Sequence, residues 1–301
     1  MKAILCRRSG PPDVLKFEEI EKPVPGENEI LLEVYASTVT RGDTALRKIP
    51  RFILAPMGLL LGFKSKKISG VEFAGVVESV GKNVTLFKPG DRAFGTTTGL
   101  SAGGNAEYVC VPEKWKHGVV AKIPDNVSFT EAAAMPVGFM TACHLLKKAN
   151  ISSNQSVLIH GASGSVGTYA VQLAKYSGTE VTAVCSTSNI GMVKGLGADY
   201  IIDYTKEDYT NSRKKFDLVF DAAGKTSRRQ CKQLLKPGGI YVSVKSPTKE
   251  KQEYMELLIR LAGKGKIRAV IDREFTLEQV PDAHRYVDTG RKKGNVVIRI
   301  K

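Results

Sequence analysis

Cysteine is scarce in this 301-residue chain and never paired in sequence: Cys6, Cys110, Cys143, Cys185 and Cys231 lie far apart, with no Cys-x-x-Cys. An odd, scattered set excludes a disulfide framework and a thiolate zinc cluster, and it points to a reducing, cytoplasmic compartment. Long hydrophobic runs are missing too. The most apolar stretch, FILAPMGLLLGF at 52–63, falls well short of the roughly 20 residues a spanning helix needs. It reads as a pocket wall or as core packing, with contact to a membrane surface ranked below both. No charged-then-apolar-then-small segment opens the chain, so no secretory signal is expected.

Acid is in short supply. Against 45 Lys and Arg stand 30 Asp and Glu, a formal net charge of +15. Such an excess suits nucleic acid, anionic lipid or an anionic cofactor. The basic residues are nevertheless dispersed, with runs no denser than KSKK at 64–67 and GRKKG at 290–294. A solvated basic surface explains them, and no nucleic-acid partner is expected.

Helical period is nearly absent from the first 125 residues. VLKFEEIEKPVPGENEILLEVYAS reads as two strands around a turn, followed by strands in VEFAGVVESVG and AEYVCVPE. From about residue 126 the texture changes. Ser128 with Glu131 forms a capping box before a short helix, and a second helix follows Pro136. Strands then alternate with helices: SVLIH, helix 165–176, EVTAVC, helix 189–195, YIID, FDLVF, helix 226–235 and GIYVSV. That alternation predicts an α/β fold with a doubly wound parallel sheet. A helix at about 249–262 and strands near 267–271 and 296–300 complete the pattern.

The segment IHGASGSVGTYA at 159–170 spaces Gly161, Gly164 and Gly167 three apart between a strand and a helix. Glycines there permit a sharp turn, close approach of a pyrophosphate and tight helix–strand packing, while the helix's free amides face the phosphates. Gly161, Ala162, Ser163, Gly164, Ser165, Val166 and Gly167 are the candidate diphosphate residues. An NAD site places an acid about 20 residues beyond such a turn. Ser186, Thr187 and Ser188 stand there instead, which favours NADPH.

In order along the chain, GVEFAGVVESVGKNVTLFKPGDRAFG, EAAAMPVGFMTACHLL, VLIHGASGSVGTYAVQLAK, GLGADYIIDYTKED and the tail at 265–298 resemble the medium-chain dehydrogenase/reductase superfamily, in its zinc-independent quinone-oxidoreductase-like branch. The resemblance implies a GroES-like β domain at 1–125, completed by 266–301, and a Rossmann domain at 126–265. Zinc members hold their metal with a cysteine before a Gly-x-Asp-like turn and with the histidine of a Gly-His-Glu segment. Here TVTRGDT puts Thr40 or Arg41 at the first place and SGVEFAG puts Val71 at the second, and neither Arg nor Val binds zinc. The four-cysteine structural lobe is absent as well, so no metal is expected.

The resemblance further implies Tyr204 at the 2′-phosphate, Thr40 and Thr141 near the nicotinamide, and strand-end backbone beside it at Ala222, Ala223 and Gly224 and at Ser243, Val244 and Lys245. Asp43 reads either as a proton donor or as a turn cap. His160 reads as a strand-end residue. The expected activity is NADPH-dependent, zinc-free hydride delivery to a small apolar electrophile, a quinone or an α,β-unsaturated carbonyl. The alternative is a catalytically weak NADPH-binding sensor. No strand-like run separates GIYVSV from IRAVID, so the sheet should stop at five strands with its edge covered. That predicts a monomer, or a dimer formed elsewhere than by sheet extension.

Overall fold

The computed structural model describes residues 1–50, 68–97, 103–115 and 118–301. The apolar stretch at 52–63 and His117 therefore lie outside the described residues. The chain divides into two compact units, Met1–Pro136 with Ile271–Lys301, and Val137–Val270.

The first unit opens with β1 (Lys2–Cys6), β2 (Leu15–Glu19), β3 (Glu29–Thr38), α1 (Arg41–Lys48), β4 (Glu72–Val80), β5 (Arg92–Thr96), β6 (Tyr108–Pro112), β7 (Val119–Lys122) and α2 (Phe129–Ala134). The two strands expected around a turn both form, but they do not pair: β2 joins β1, while β3 lies within a second sheet. β3 carries Ile30, Leu32 and Val34 to one core with Phe73, Val77 and Phe87. Alternate positions along a strand share a face, so three side chains are buried together. The first unit extends to Pro136, with α2 packed against β3, β4 and β5.

The second unit follows with α3 (Pro136–Lys148), β8 (Ser156–His160), α4 (Ser165–Tyr176), β9 (Glu180–Cys185), α5 (Ile190–Gly195), β10 (Tyr200–Asp203), β11 (Phe216–Asp221), β12 (Leu235–Ser243) and α6 (Gln252–Gly263). Its five strands are parallel, in the order β10-β9-β8-β11-β12. Val157, Leu158 and Ile159 of the central β8 are all 0 % exposed, as befits a parallel sheet covered on both faces. Each such aliphatic side chain contributes about 1.5–3 kcal/mol by leaving water. The carboxyl ends of β8 and β11 adjoin where the strand order reverses, the usual place for a ligand in such sheets.

Three expectations need correction here. No helix spans 226–235; a 3-10 turn at Lys232–Leu234 stands in its place. The Thr226 amide is already engaged by the Asp221 carboxylate, and β12 begins at Leu235. The strand expected at 267–271 starts only at Ile271, because Gln172 of α4 holds both the amide and the carbonyl of Arg268. The five-stranded sheet is as expected among the described residues, but its edge is not fully covered. Lys236, Pro237, Gly238 and Ile240 of β12 are exposed. After the second unit the chain rejoins the first as β13 (Ile271–Thr276), α7 (Val280–Asp288) and β14 (Asn295–Arg299), with β14 pairing β3.

Candidate functional site

The three glycines of the strand-to-helix turn have different reasons to be glycine. Gly161 has φ +75°, and a Cβ there would stand 2.8 Å from that of Ala223. At Gly167 a Cβ would lie 2.1 Å from the Gly161 carbonyl oxygen. The fold itself demands glycine at both positions. Gly164 is unlike them. Its φ of −80° and ψ of 171° suit any residue, and an added Cβ would meet only the Gly161 oxygen, at 3.5 Å. α4 begins there with no side-chain cap, so the positive end of its dipole opens onto space cleared of a Cβ. These residues fit a pyrophosphate. Ser163, Gly164, Ser165 and Val166 are half-buried, while Ala162 is buried and donates its amide to the Val184 carbonyl. Thr141 is half-buried on α3. That helix meets the start of α4 closely at Gly138, where a Cβ would stand 2.6 Å from Ser165 Oγ.

A fully buried carboxylate organises the neighbouring loops. Asp221, the last residue of β11, accepts from the amides of Ala223 at 3.2 Å, Gly224 at 2.9 Å and Thr226 at 3.0 Å. It also accepts from Ser243 Oγ and Tyr241 Oη, both at 3.2 Å, and lies 3.0 Å from His160 Nδ1. Burial would raise its pKa. The hydrogen bonds from His160 and Thr226 outweigh that and hold the carboxyl well below the ordinary 3.8. An ionised carboxylate only accepts, so His160 presents Nδ1–H. The Ala222 amide donates to the His160 carbonyl, and Val244 and Lys245 are tied to Asp221 and Ser243. Gly224, at φ +66°, leaves room for Val244 and Lys245 alongside. The residues expected to border the nicotinamide are thus gathered round one acid.

At the same carboxyl end of the sheet but on the other side of β8, Ser186 is half-buried and Thr187 exposed just after β9, and Tyr204 is exposed just after β10. Asp203 closes β10 in register with Cys185 and is 7 % exposed. The Thr187 and Thr205 hydroxyls hold its carboxyl below the ordinary range.

In the first unit Thr40 and Asp43 satisfy one another. Thr40 caps α1, its hydroxyl accepting from the Asp43 amide at 3.1 Å and donating to Asp43 Oδ2 at 2.6 Å. Burial pushes the Asp43 carboxyl up to about 6, with Thr40 pulling it back. Arg41 is exposed on α1, and Val71 is buried. The adjacent Glu72 is buried and accepts the Thr38 hydroxyl. Near Glu72 and Arg41 stands Lys292, whose ammonium burial pushes down to about 8 against the pull of Glu72 and Asp272. Among the described residues no three His, Cys, Asp or Glu side chains cluster as metal ligands.

Asp221, Asp203 and Lys292 escaped the reading of the sequence, and His160 is more than a strand-end residue. A signal was present in FDLVFDAAG and YIIDYT, where an acid ends an apolar strand. Lys292 lay inside GRKKG, which reads as solvated charge.

Residues 26–125 match the alcohol dehydrogenase GroES-like domain, and residues 165–272 match the zinc-binding dehydrogenase family. The chain is similar to 2-methylene-furan-3-one reductase of Solanum lycopersicum, 35 % identical over 99 % of this chain and 79 % of that protein. It is 31 % identical to the chloroplastic NADPH-dependent alkenal/one oxidoreductase of Arabidopsis thaliana, over 99 % of this chain and 79 % of that one. The structure of the quinone oxidoreductase from Coxiella burnetii superposes with a TM-score of 0.84 at 27 % identity, covering 100 % of this chain and 99 % of that one. With its β domain, its parallel nucleotide-type sheet and these relatives, the chain belongs to the medium-chain dehydrogenase/reductase superfamily, among the quinone-oxidoreductase-like proteins.

Proposed function

We propose that the chain is an oxidoreductase that uses NADPH to reduce a quinone or an α,β-unsaturated carbonyl without zinc. The observation that carries the nucleotide is Gly164, a glycine the fold does not need, at an uncapped helix start. When bound, the reduced nicotinamide supplies a hydride. Ser163–Val166 would hold the diphosphate, and the loops hung on Asp221 would fix the ribose and ring. The lack of an acid directly after β9 and the hydroxyl of Ser186 support NADPH over NADH.

The acceptors in the relatives' names are a 2-methylene-furan-3-one, an alkenal or alkenone and a quinone. All carry a carbonyl conjugated with a carbon–carbon double bond. Such acceptors take hydride at carbon without a Lewis acid, whereas oxidising an alcohol benefits from a metal that stabilises the alkoxide. Val71, and Thr40 or Arg41, standing where the resemblance puts the ligands of zinc members, favour the metal-free reading. Asp43, at about 6, is the group we assign to carry a proton near neutrality, since the Thr40 hydroxyl is committed to it. That commitment is also the one observation favouring the sensor reading.

Turnover separates the two. Purified protein should consume NADPH in the presence of a quinone or enone from a panel, with a chelator making no difference. NADPH binding without turnover on any acceptor would leave the sensor, and a stoichiometric zinc in elemental analysis would overturn the metal-free assignment.

Five cysteines with no disulfide between them support a reducing compartment, and no helix among the described residues is long and apolar enough to cross a membrane. Lys236 and Pro237 on the exposed half of β12 discourage strand addition. They support a monomer, or a dimer built through another surface. A crystal structure with two such sheets joined edge to edge would refute this.

A further inference from the structure

The acid missing after β9 stands one strand over. β10 runs parallel to β9 and places Asp203 opposite Cys185, directly beside the residues expected at the ribose 2′ position. Asp203 Oδ1 accepts from the Thr205 amide at 3.0 Å and from the Thr205 hydroxyl at 2.7 Å. Its Oδ2 accepts from the Thr187 hydroxyl. The two threonine oxygens are themselves 3.0 Å apart.

Proton counting decides what this cluster shows to a ligand. An ionised carboxylate has no proton to give, and each hydroxyl has one. Both threonine protons are therefore directed inward. The exposed Thr187 offers only lone pairs outward, as an acceptor backed by a negative charge. Ser186 has the opposite polarity. Its Oγ accepts from Asn189 Nδ2 at 3.0 Å, so its own proton can point outward, with only Ser188 Oγ at 3.4 Å competing for it. A ribose 2′-hydroxyl can donate to Thr187, whereas a 2′-phosphate needs donors and meets repulsion from the charge behind that threonine.

We propose that Asp203, acting through the Thr187 hydroxyl, is a specificity-determining residue that favours the 2′-hydroxyl of NADH and so narrows the preference for NADPH. The inference rests on the nucleotide-binding reading above. It makes a particular demand of the Asp203→Asn variant. The Thr205 amide must still be accepted by an oxygen, which turns the new side-chain NH2 toward Thr187. That NH2 donates to Thr187 Oγ1, whose proton then swings outward. One substitution both removes the charge and converts the acceptor into a donor.

The test is direct titration of the purified full-length protein with NADPH and with NADH, following nucleotide fluorescence or heat rather than turnover. Asp203→Asn should raise the NADPH-to-NADH affinity ratio by about tenfold, chiefly by tightening NADPH. Thr187→Val removes the acceptor but keeps the shape. It should weaken NADH more than NADPH and raise the ratio by about threefold. A role confined to holding the strand ends together would weaken both nucleotides alike and leave the ratio where it was. A ratio unmoved in either folded variant, or lowered by Asp203→Asn, overturns the proposal. If Asp203→Asn does not fold, Thr187→Val decides alone. Wild-type protein that binds neither nucleotide would overturn the nucleotide reading itself, and this proposal with it.

Discussion

Two aspartates each end a strand of one sheet, on opposite sides of the central β8, and serve different ends. Asp221, with 0 % exposure, takes its hydrogen bonds largely from backbone amides of the chain that follows it, and so it shapes loops. Asp203, nearer the surface, takes two threonine hydroxyls and a single amide, and so it orients hydroxyl groups. The donors around a carboxylate decide its part. Fixed amides make it an architectural anchor; rotatable hydroxyls let it set the polarity of a binding surface.

The largest effect that would sharpen this contrast is on stability. Asp221→Ala should lower the unfolding free energy by about 3–5 kcal/mol, because it strands buried amides and removes the partner of His160. Denaturant melts check it, and a loss below about 1 kcal/mol would mean that the loops hold themselves. Next in size is a pair of glycine substitutions. Gly161→Ala should cost about 1–3 kcal/mol through its left-handed backbone and the clash with Ala223. Gly164→Ala should leave the melt nearly unchanged and yet weaken NADPH in a titration, since its Cβ enters only ligand space. Equal stability losses in the two would dissolve the distinction drawn between them.

A smaller effect concerns cofactor choice. Ser186→Asp should weaken NADPH selectively by about tenfold, by setting like charges together. Parallel NADPH and NADH titrations would show it, and equal weakening of both would contradict the placement of Ser186. The smallest effect is on pH dependence. Asp221 is depressed, so its contribution is present above the ordinary 3.8 and is lost as pH falls through its folded value. Asp43 is raised from 3.8 to about 6, so its contribution is present at low pH and is lost as pH rises through about 6. Asp43→Asn should therefore gain stability relative to wild type between about pH 4 and pH 7, as read from urea midpoints. Parallel curves would place Asp43 in a more solvated setting than the structure does.

Much of this molecule was legible in its residues. The turn GASGSVG, the apolar runs SVLIH, EVTAVC and FDLVF, and the Ser128–Glu131 cap are local patterns, and they form as read. Their physical basis is short-range: side-chain period, backbone freedom and helix-end amides act within a few residues. The expected helix at 226–235 did not form, and Leu235 at its far end is instead paired with Phe216 as the first residue of β12, a long-range contact that no local pattern carries.

The site divides in the same way. Local sequence determined that a glycine-rich turn joins β8 to α4 and that no acid stands directly after β9. Only the tertiary structure decided that Asp203 stands beside Thr187, because parallel pairing of β9 with β10 joins positions 16 residues apart in the chain. It likewise decided that Asp221 meets His160 across β8 and β11, 61 residues apart. Hydrogen-bond polarity depends on which donors and acceptors face one another, and strand order, not spacing along the chain, settles who those neighbours are.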